Sequence, residues 1–95
     1  FHAEKPLQKL VTDITYLPFG SKMLYLSSIM DLYNGEIIAY SIGDKQDTSL
    51  VIDTLNQLPA VTNCILHSDQ GSVYTSYAFQ QAVKEKGIES IKYFV

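Results

Sequence analysis

The fold of this chain is decided by two short segments, Val11-Thr12-Asp13-Ile14-Thr15-Tyr16 and Leu66-His67-Ser68-Asp69-Gln70-Gly71-Ser72. Each segment places one aspartate in or beside a run of β-branched and apolar residues, which favours a strand. A carboxylate inside such a strand is costly to desolvate unless a positive charge meets it. Two aspartates that the fold brings together supply the hard oxygen ligands that a divalent cation prefers. The pair indicates phosphoryl chemistry on a metal, with nucleic acid as the expected substrate.

Length and composition indicate one globular domain. The 95 residues are 46% hydrophobic and 12% aromatic, which is enough for a core and too apolar for a disordered segment. No apolar run is long enough to span a bilayer, and the polar residues 1–6 do not resemble a signal peptide. The single cysteine, Cys64, cannot form an internal disulfide and is predicted to be a buried apolar side chain. These features favour a cytoplasmic protein.

The charge balance restricts how the domain could bind nucleic acid. Seven basic residues against ten acidic ones give a net charge of −3. A stand-alone nucleic-acid module is normally basic. If the domain acts on DNA, most of the affinity must come from elsewhere, and metal ions must offset its acidic site. The lysines form no run, so a solvated face is the default interpretation for them.

The first half of the chain predicts three sequential antiparallel strands, over Gln8–Leu17, Lys22–Tyr33 and Glu36–Ile42. Pro18–Ser21 forms the turn between the first two. Asn34-Gly35 is a strong hairpin signal, because both residues tolerate the positive φ of a type I′ turn. The tyrosines are scattered at strand positions, which predicts core or half-buried sheet rather than base stacking.

The second half alternates helices and strands. The predicted elements are a helix from Thr48 to about Leu58, a strand over Asn63–Leu66, a helix over Tyr77–Lys86 and a strand over Ile88–Val95. Asp47 is placed to cap the first helix, and Thr75 or Ser76 the second. Gly87 is the expected stop of the second helix.

This element order predicts an α/β fold with a five-stranded mixed sheet and helices on its faces. The crossovers through the two helices are expected to be right-handed. Placing the fourth strand beside the first gives the strand order 3-2-1-4-5. In that order Asp13, in the first strand, and Asp69, just past the fourth, become neighbours.

With these segments, the chain resembles the catalytic cores of the integrase/transposase superfamily, which have the ribonuclease H-like fold. It looks most like bacterial insertion-sequence transposases of the D,D-35-E type. The resemblance covers nearly the whole chain and rests on Thr12–Pro18, Tyr25–Ser27, Asp31-Leu32 and His67–Ser76. Leu10 departs from the pattern, since many relatives carry a tryptophan shortly before the first aspartate.

The resemblance implies that Asp13 and Asp69 are catalytic residues and ligands of Mg²⁺ or Mn²⁺, in a two-metal site of the intact protein. It implies hydrolytic nicking of DNA followed by strand transfer, with self-association in a synaptic complex on the bacterial nucleoid. It also implies a glutamate about thirty-five residues beyond Asp69, past Val95. We therefore expect residues 1–95 to be a partial core that is inactive alone, with Glu85 and Glu89 not replacing that glutamate.

Simpler interpretations of individual residues remain open. Asp13 could pair with a lysine or a backbone turn, and Asp69 could belong to an ordinary turn. His67 could be a metal ligand or an acid–base group, although orienting the loop is the simpler role. Gly71 is expected to allow tight backbone approach. Asp31, in the second strand, is expected to serve the hairpin rather than catalysis.

Two alternative functions remain. A ribonuclease H-like nuclease or junction resolvase would share the fold and the metal but would cut without joining. An inactive interaction fragment would self-associate only. A receiver-type domain is excluded, because it predicts alternating strands and helices from the start, whereas Asn34-Gly35 indicates a hairpin.

Overall fold

The computed structural model describes residues 3–92. Its secondary structure begins with three strands and continues with alternating helices and strands, as the sequence predicts. The elements are β1 (Lys9–Phe19), β2 (Lys22–Asp31), β3 (Glu36–Gly43), α1 (Thr48–Leu55), β4 (Ile65–Ser68), α2 (Ser72–Thr75), α3 (Tyr77–Glu85) and β5 (Glu89–Lys92).

The strands form one five-stranded sheet in the order β3-β2-β1-β4-β5, which confirms the predicted order. β1 pairs antiparallel with β2, and β2 antiparallel with β3. β4 is parallel to both β1 and β5. Because β1 and β4 run in the same direction, their carboxyl ends lie at the same edge of the sheet. The segments that carry Asp13 and Asp69 meet at that edge.

The helices of the described residues share one face of the sheet. α1 contacts β2, β3, α2 and α3, while α3 contacts β5. On this face the pleat buries alternate strand residues such as Leu10, Ile29 and Leu66 completely or nearly so. One buried polar contact links helix to sheet, where the Thr54 hydroxyl donates to Ser27 Oγ at 2.8 Å.

The opposite face of the sheet carries exposed apolar side chains. Ile37, Tyr40 and Ile42 of β3 are each more than half exposed. The prediction that the tyrosines are buried or half-buried is therefore wrong for several of them: Tyr16, Tyr33, Tyr40 and Tyr77 are exposed. Burial depends on which face a strand residue occupies, and scattered single tyrosines do not reveal the face that helices will cover.

The connection between β2 and β3 differs from the predicted two-residue turn. Asp31 pairs with Glu36, so the loop has four residues, Leu32 to Gly35. Gly35 adopts a φ of 74°, whereas Asn34 does not enter the left-handed region that a type I′ turn requires. The loop closes through a bond from the Gly35 amide to the Asp31 carbonyl at 2.8 Å.

Both predicted helix caps are present. The Asp47 carboxylate accepts from the Leu50 amide at 3.1 Å, and the Ser76 hydroxyl from the Phe79 amide at 3.2 Å. The short helix α2, directly after the Asp69 loop, was not predicted. The last strand is present from Glu89 to Lys92, and the remainder of its predicted range, residues 93–95, lies outside the described residues. No helix in residues 3–92 is long and apolar enough to cross a membrane.

Candidate metal centre

The strand register brings Asp13 and Asp69 together. The last registered pair between the parallel strands β1 and β4 joins Val11 to His67. Asp13 and Asp69 each follow that pair by two residues, and therefore occupy equivalent places at the carboxyl edge of the sheet. Both residues are exposed, and both line the same two surface depressions. The neighbourhood that the sequence predicted for these two carboxylates is confirmed.

The Asp69 carboxylate is oriented by its own loop. Its Oδ1 accepts from the Gly71 amide at 2.8 Å, which is an Asx turn directly after β4. A Cβ added at Gly71 would lie 2.9 Å from the same Oδ1 atom. The missing side chain of Gly71 therefore leaves room for the Asp69 carboxylate, whereas the predicted close backbone approach at this glycine stays a prediction.

The Asp13 carboxylate is oriented by the strand that carries it. Its Oδ1 accepts from the amide of the following residue, Ile14, at 2.9 Å. On the other side of β1, Asp13 pairs with Ser28 of β2. This position ties the residue to a central strand, so its carboxylate is presented from a rigid part of the fold.

The larger depression beside the two aspartates has a volume of about 560 Å³ and is open to solvent. Asp13, Ile14 and Tyr16 line it from β1, and Gln46 lines it from the segment before α1. The Asp69 loop and α2 form its other wall. A smaller depression on the other side of the carboxylates is lined by Val11 and His67. The two aspartates thus line both depressions.

Tyr74 of α2 is a buried residue that lines the same depression as the two aspartates. Its side chain is 2% exposed, and its hydroxyl has no hydrogen-bond partner among the described residues. Burial, with smaller contributions from the Asp13 and Asp69 charges, raises the pKa of Tyr74 to about 12. The Thr12 hydroxyl lies beside the phenol and lowers this pKa in part, without the geometry of a full hydrogen bond. Tyr74 is therefore a protonated donor at neutral pH.

His67 lies on the β4 segment that leads into the Asp69 loop and is half-buried between its strand neighbours Val11 and Ile91. Burial and the nearby Lys9 ammonium lower the pKa of His67 from its ordinary value of 6.5, so the ring is neutral at pH 7. Its position fits the expected role of shaping this edge.

The donor set at this edge suits a hard divalent cation. Two adjacent carboxylates concentrate negative charge, and carboxylate oxygens are what Mg²⁺ and Mn²⁺ take from proteins. The buried, unpartnered Tyr74 hydroxyl beside them is a second sign that the site is built for a further group. Within residues 3–92, no cluster of three or more histidine, cysteine, aspartate or glutamate side chains is placed to hold a metal ion. Glu85 and Glu89 do not join the two aspartates.

The sequence did not single out Tyr74 as a site residue. It lies within the segment His67–Ser76, but its importance depends on α2, which is only four residues long. An aromatic residue five positions after an aspartate carries no signal by itself. The packing of its ring edge-on against Phe79, with centroids 5.4 Å apart, is a tertiary contact that fixes where the phenol points.

Comparison with known sequences identifies relatives among insertion-sequence proteins. The putative transposase InsK for insertion sequence element IS150 of Escherichia coli strain K12 is 38% identical over 93 residues, which cover 94% of this chain and 33% of that protein. The transposase for insertion sequence element IS629 of Shigella sonnei is 36% identical over 93 residues, covering 93% and 31%. The chain thus spans about a third of the length of these curated relatives.

Solved structures of integrases share the fold. The simian T-cell lymphotropic virus intasome, in complex with PP2A regulatory subunit B56 gamma, contains a chain that matches 99% of this one with a TM-score of 0.88 and 20% identity, over 34% of that chain. The dimeric form of the HTLV-2 integrase catalytic core domain, in complex with magnesium, has a TM-score of 0.80 and 18% identity, covering 92% of this chain and 61% of that chain.

The family assignment rests on sequence across the whole described fold. The family model described as integrase core domain matches residues 3–91, which include both aspartates and all five strands except the last residue of β5. The chain belongs to the integrase core domain family.

Proposed function

We propose that this chain is the catalytic core segment of a bacterial insertion-sequence transposase of the D,D-35-E type. Its reaction is divalent-cation-dependent hydrolysis of DNA phosphodiesters followed by strand transfer. The observation that carries the proposal is the juxtaposition of Asp13 and Asp69 at one sheet edge, within a family whose sequence relatives are transposases. The magnesium bound to the HTLV-2 integrase core, which shares this fold, supports a divalent cation here.

In this proposal Asp13 and Asp69 hold the cation. When bound, the cation supplies Lewis acidity and neutralises charge during displacement at phosphorus. The Gly71 and Ile14 amides fix one oxygen of each carboxylate, which orients the pair. No side-chain nucleophile is needed, because water or a DNA 3′-hydroxyl attacks the phosphorus.

DNA is the proposed substrate, and the charge of the chain shapes how it is bound. With a net charge of −3, residues 1–95 supply little of the phosphate contact that dominates DNA affinity. We propose that self-association and the rest of the protein contribute most of that affinity, in an assembly comparable to the viral intasome. The relatives are bacterial, which favours the nucleoid as the place of reaction.

A crystal soaked in Mn²⁺ tests the metal centre directly. We expect an anomalous peak between the Asp13 and Asp69 carboxylates, and its absence from an Asp69→Asn crystal treated in the same way. Wild-type crystals without a peak at this edge, at Mn²⁺ concentrations of tens of millimolar, would contradict the proposal.

Joining of DNA distinguishes a transposase from a nuclease of the same fold. The core is substituted into a full-length transposase relative, and the hybrid is given labelled transposon-end DNA with Mg²⁺. We expect both nicked and strand-transfer products, with neither formed by the Asp13→Asn hybrid. Nicks without joined products would favour a ribonuclease H-like nuclease or resolvase instead.

A further inference from the structure

The least explained group near the metal centre is the hydroxyl of Tyr74. The residue is 2% exposed, and its oxygen is buried without a hydrogen-bond partner among the described residues. A buried hydroxyl that lacks a partner destabilises the folded state. A phenylalanine would fill the same space without that penalty, so packing alone does not account for the oxygen.

The ring that carries this hydroxyl is held firmly. Its edge packs against Phe79 at an interplanar angle of 71°. The Tyr74 amide donates to the Gly71 carbonyl at 3.0 Å, and the Tyr74 carbonyl accepts from Gln80 Nε2 at 2.7 Å. The phenol therefore cannot turn to solvent without disturbing α2 and its contact with α3.

The surroundings of the hydroxyl include both aspartates of the candidate site. Thr12 lies beside it, and both Asp13 and Asp69 are close enough to act on it electrostatically. Tyr74 lines the larger depression together with those two aspartates. The buried hydroxyl thus belongs to a residue that shares one depression with the two carboxylates, and a phenolic O–H donates well to a carboxylate.

We propose that Tyr74 is a positioning residue of this centre, whose buried hydroxyl donates to the Asp13–Asp69 carboxylate pair when a divalent cation draws the two carboxylates together. Unpaired in the cation-free protein, the hydroxyl gains its partner in the loaded one. Cation binding is favoured by the bond so formed. This inference rests on the proposed metal centre. It adds to that centre a residue of α2, whereas the two aspartates are brought together by the strands β1 and β4.

The test is a Tyr74→Phe variant of this chain, with Mg²⁺ alone as the probe. Mg²⁺ is titrated while the NMR amide shifts of the Asp69 loop are followed, and Mn²⁺ broadening locates the ion. We expect the variant to bind Mg²⁺ about tenfold more weakly, as a charge-assisted hydrogen bond implies. We also expect its cation-free melting temperature to equal or exceed that of the wild type. A purely structural tyrosine would not produce this combination.

Matched variants separate the possible outcomes. Tyr33→Phe removes an exposed hydroxyl in the β2–β3 loop, beside the amino end of β1 and away from the carboxyl edge that carries the aspartates, and is expected to change neither quantity. A Tyr74→Phe affinity within twofold of the wild type would overturn the positioning role, as would a lower cation-free melting temperature, since the hydroxyl would then already support the fold. If the wild type and Asp69→Asn respond identically to Mg²⁺, the metal centre itself is wrong and this inference falls with it.

Discussion

Asp31 and the pair Asp13 and Asp69 are all aspartates at strand positions or strand ends, yet the fold treats them differently. The Asp31 side chain is 2% exposed, and both of its carboxylate oxygens accept backbone amides, from Leu7 and Tyr33, at 3.0 Å. Asp13 and Asp69 are exposed, face a solvent-filled depression, and have each other as neighbours. A buried carboxylate with both oxygens bonded to amides supports the fold, whereas two exposed carboxylates that line one open depression keep oxygens available to a ligand.

The contacts of Asp31 explain its expected role at the hairpin and extend it. One carboxylate oxygen of Asp31 accepts from the Tyr33 amide and orders the β2–β3 loop. The other accepts from the Leu7 amide and fixes the segment before β1. Leu7 has a φ of 59°, which is uncommon for a residue with a branched side chain, and its side chain packs against the core. Asp31 thus fixes two connections that meet at the end of the sheet opposite the edge that carries Asp13 and Asp69.

The largest expected effect is the loss of stability in Asp31→Ala. Removing this carboxylate leaves the partly buried Leu7 and Tyr33 amides without their partner. We expect the free energy of unfolding to fall by about 3 kcal/mol, a large part of the 5–15 kcal/mol typical of a domain. Urea unfolding followed by circular dichroism measures it.

The exposed Asp53 on α1 provides the control for that variant, since Asp53→Ala removes the same charge and leaves the core and the sheet unchanged. We expect its stability to lie within about 0.5 kcal/mol of the wild type. If Asp31→Ala lost as little stability as Asp53→Ala, the conclusion that the Asp31 carboxylate supports the fold would be wrong.

The stability of the protein at alkaline pH tests the burial of Cys64, whose thiol lies near the Asp31 charge. Burial, assisted by the Asp31 charge, raises the pKa of the Cys64 thiol from its ordinary 9.0 to about 11. Below pH 9 the thiol is protonated in both the folded and unfolded states, so stability is unaffected. Between pH 9 and 11 the unfolded state loses its proton first, and stability is expected to fall by roughly 2 kcal/mol.

Urea unfolding at pH 8, 9, 10 and 11 measures this decline. In Cys64→Ala the decline should start only near pH 10, where the raised pKa of Tyr74 begins to act with the same sign. A wild-type profile that is flat up to pH 11 would mean that the thiol is less buried than its 2% exposure implies.

A smaller effect on stability is expected from Gly71→Ala, which tests how the Asp69 carboxylate is held. Gly71 has a φ of −59°, which alanine adopts without strain, so the backbone tolerates the change. The added Cβ would lie 2.9 Å from Asp69 Oδ1 and must displace that oxygen. We expect less than about 1 kcal/mol of lost stability but a clear weakening of Mg²⁺ binding.

A double-variant comparison separates displacement of Asp69 from any other effect of the alanine. In an Asp69→Asn background, Gly71→Ala should leave the residual Mg²⁺ response unchanged, because its target has already lost its charge. Additive losses would mean that Gly71 acts on cation binding by another route.

The strand order and the meeting of Asp13 with Asp69 could be predicted because each depends on local signals that agree. Strand propensity, the Asn34-Gly35 hairpin signal and the Asp47 and Ser76 caps agree on the element order, and placing the fourth strand beside the first gives the topology. That topology alone sets two aspartates side by side. The family resemblance then suggested a role for them, which remains a proposal.

The sequence-based predictions were wrong or incomplete where a side chain hydrogen-bonds the backbone of a turn, or where tertiary packing decides which residues are buried. The predicted two-residue turn was wrong because Asp31 accepts from the Tyr33 amide and lengthens the loop to four residues. The Asn34 side-chain oxygen then accepts from the Glu36 amide at 3.1 Å, and the Asn34 backbone does not adopt a positive φ. Tyr74 was overlooked because its burial depends on α2 and Phe79, and neither a four-residue helix nor a ring contact has a periodic signature in sequence.

The smallest expected change in stability is that of Asp13→Asn and Asp69→Asn, and it best distinguishes these two aspartates from Asp31. Asp13→Asn and Asp69→Asn each remove one of two like charges at an exposed edge, while an amide oxygen can still accept from Ile14 or Gly71. We expect the cation-free stability of each variant to stay within about 0.5 kcal/mol of the wild type, or to rise slightly as repulsion is relieved. Thermal unfolding in EDTA measures it.

Mg²⁺ should separate these variants from the wild type. A ligand that binds the folded state alone raises stability by RT ln(1 + [L]/Kd), so millimolar Mg²⁺ should stabilise the wild type and leave both asparagine variants nearly unchanged. Two carboxylates that contribute nothing to folding yet are required for cation stabilisation would be explained by function alone. If either variant unfolded as readily as Asp31→Ala, its carboxylate would belong with Asp31 among the groups that hold the fold together.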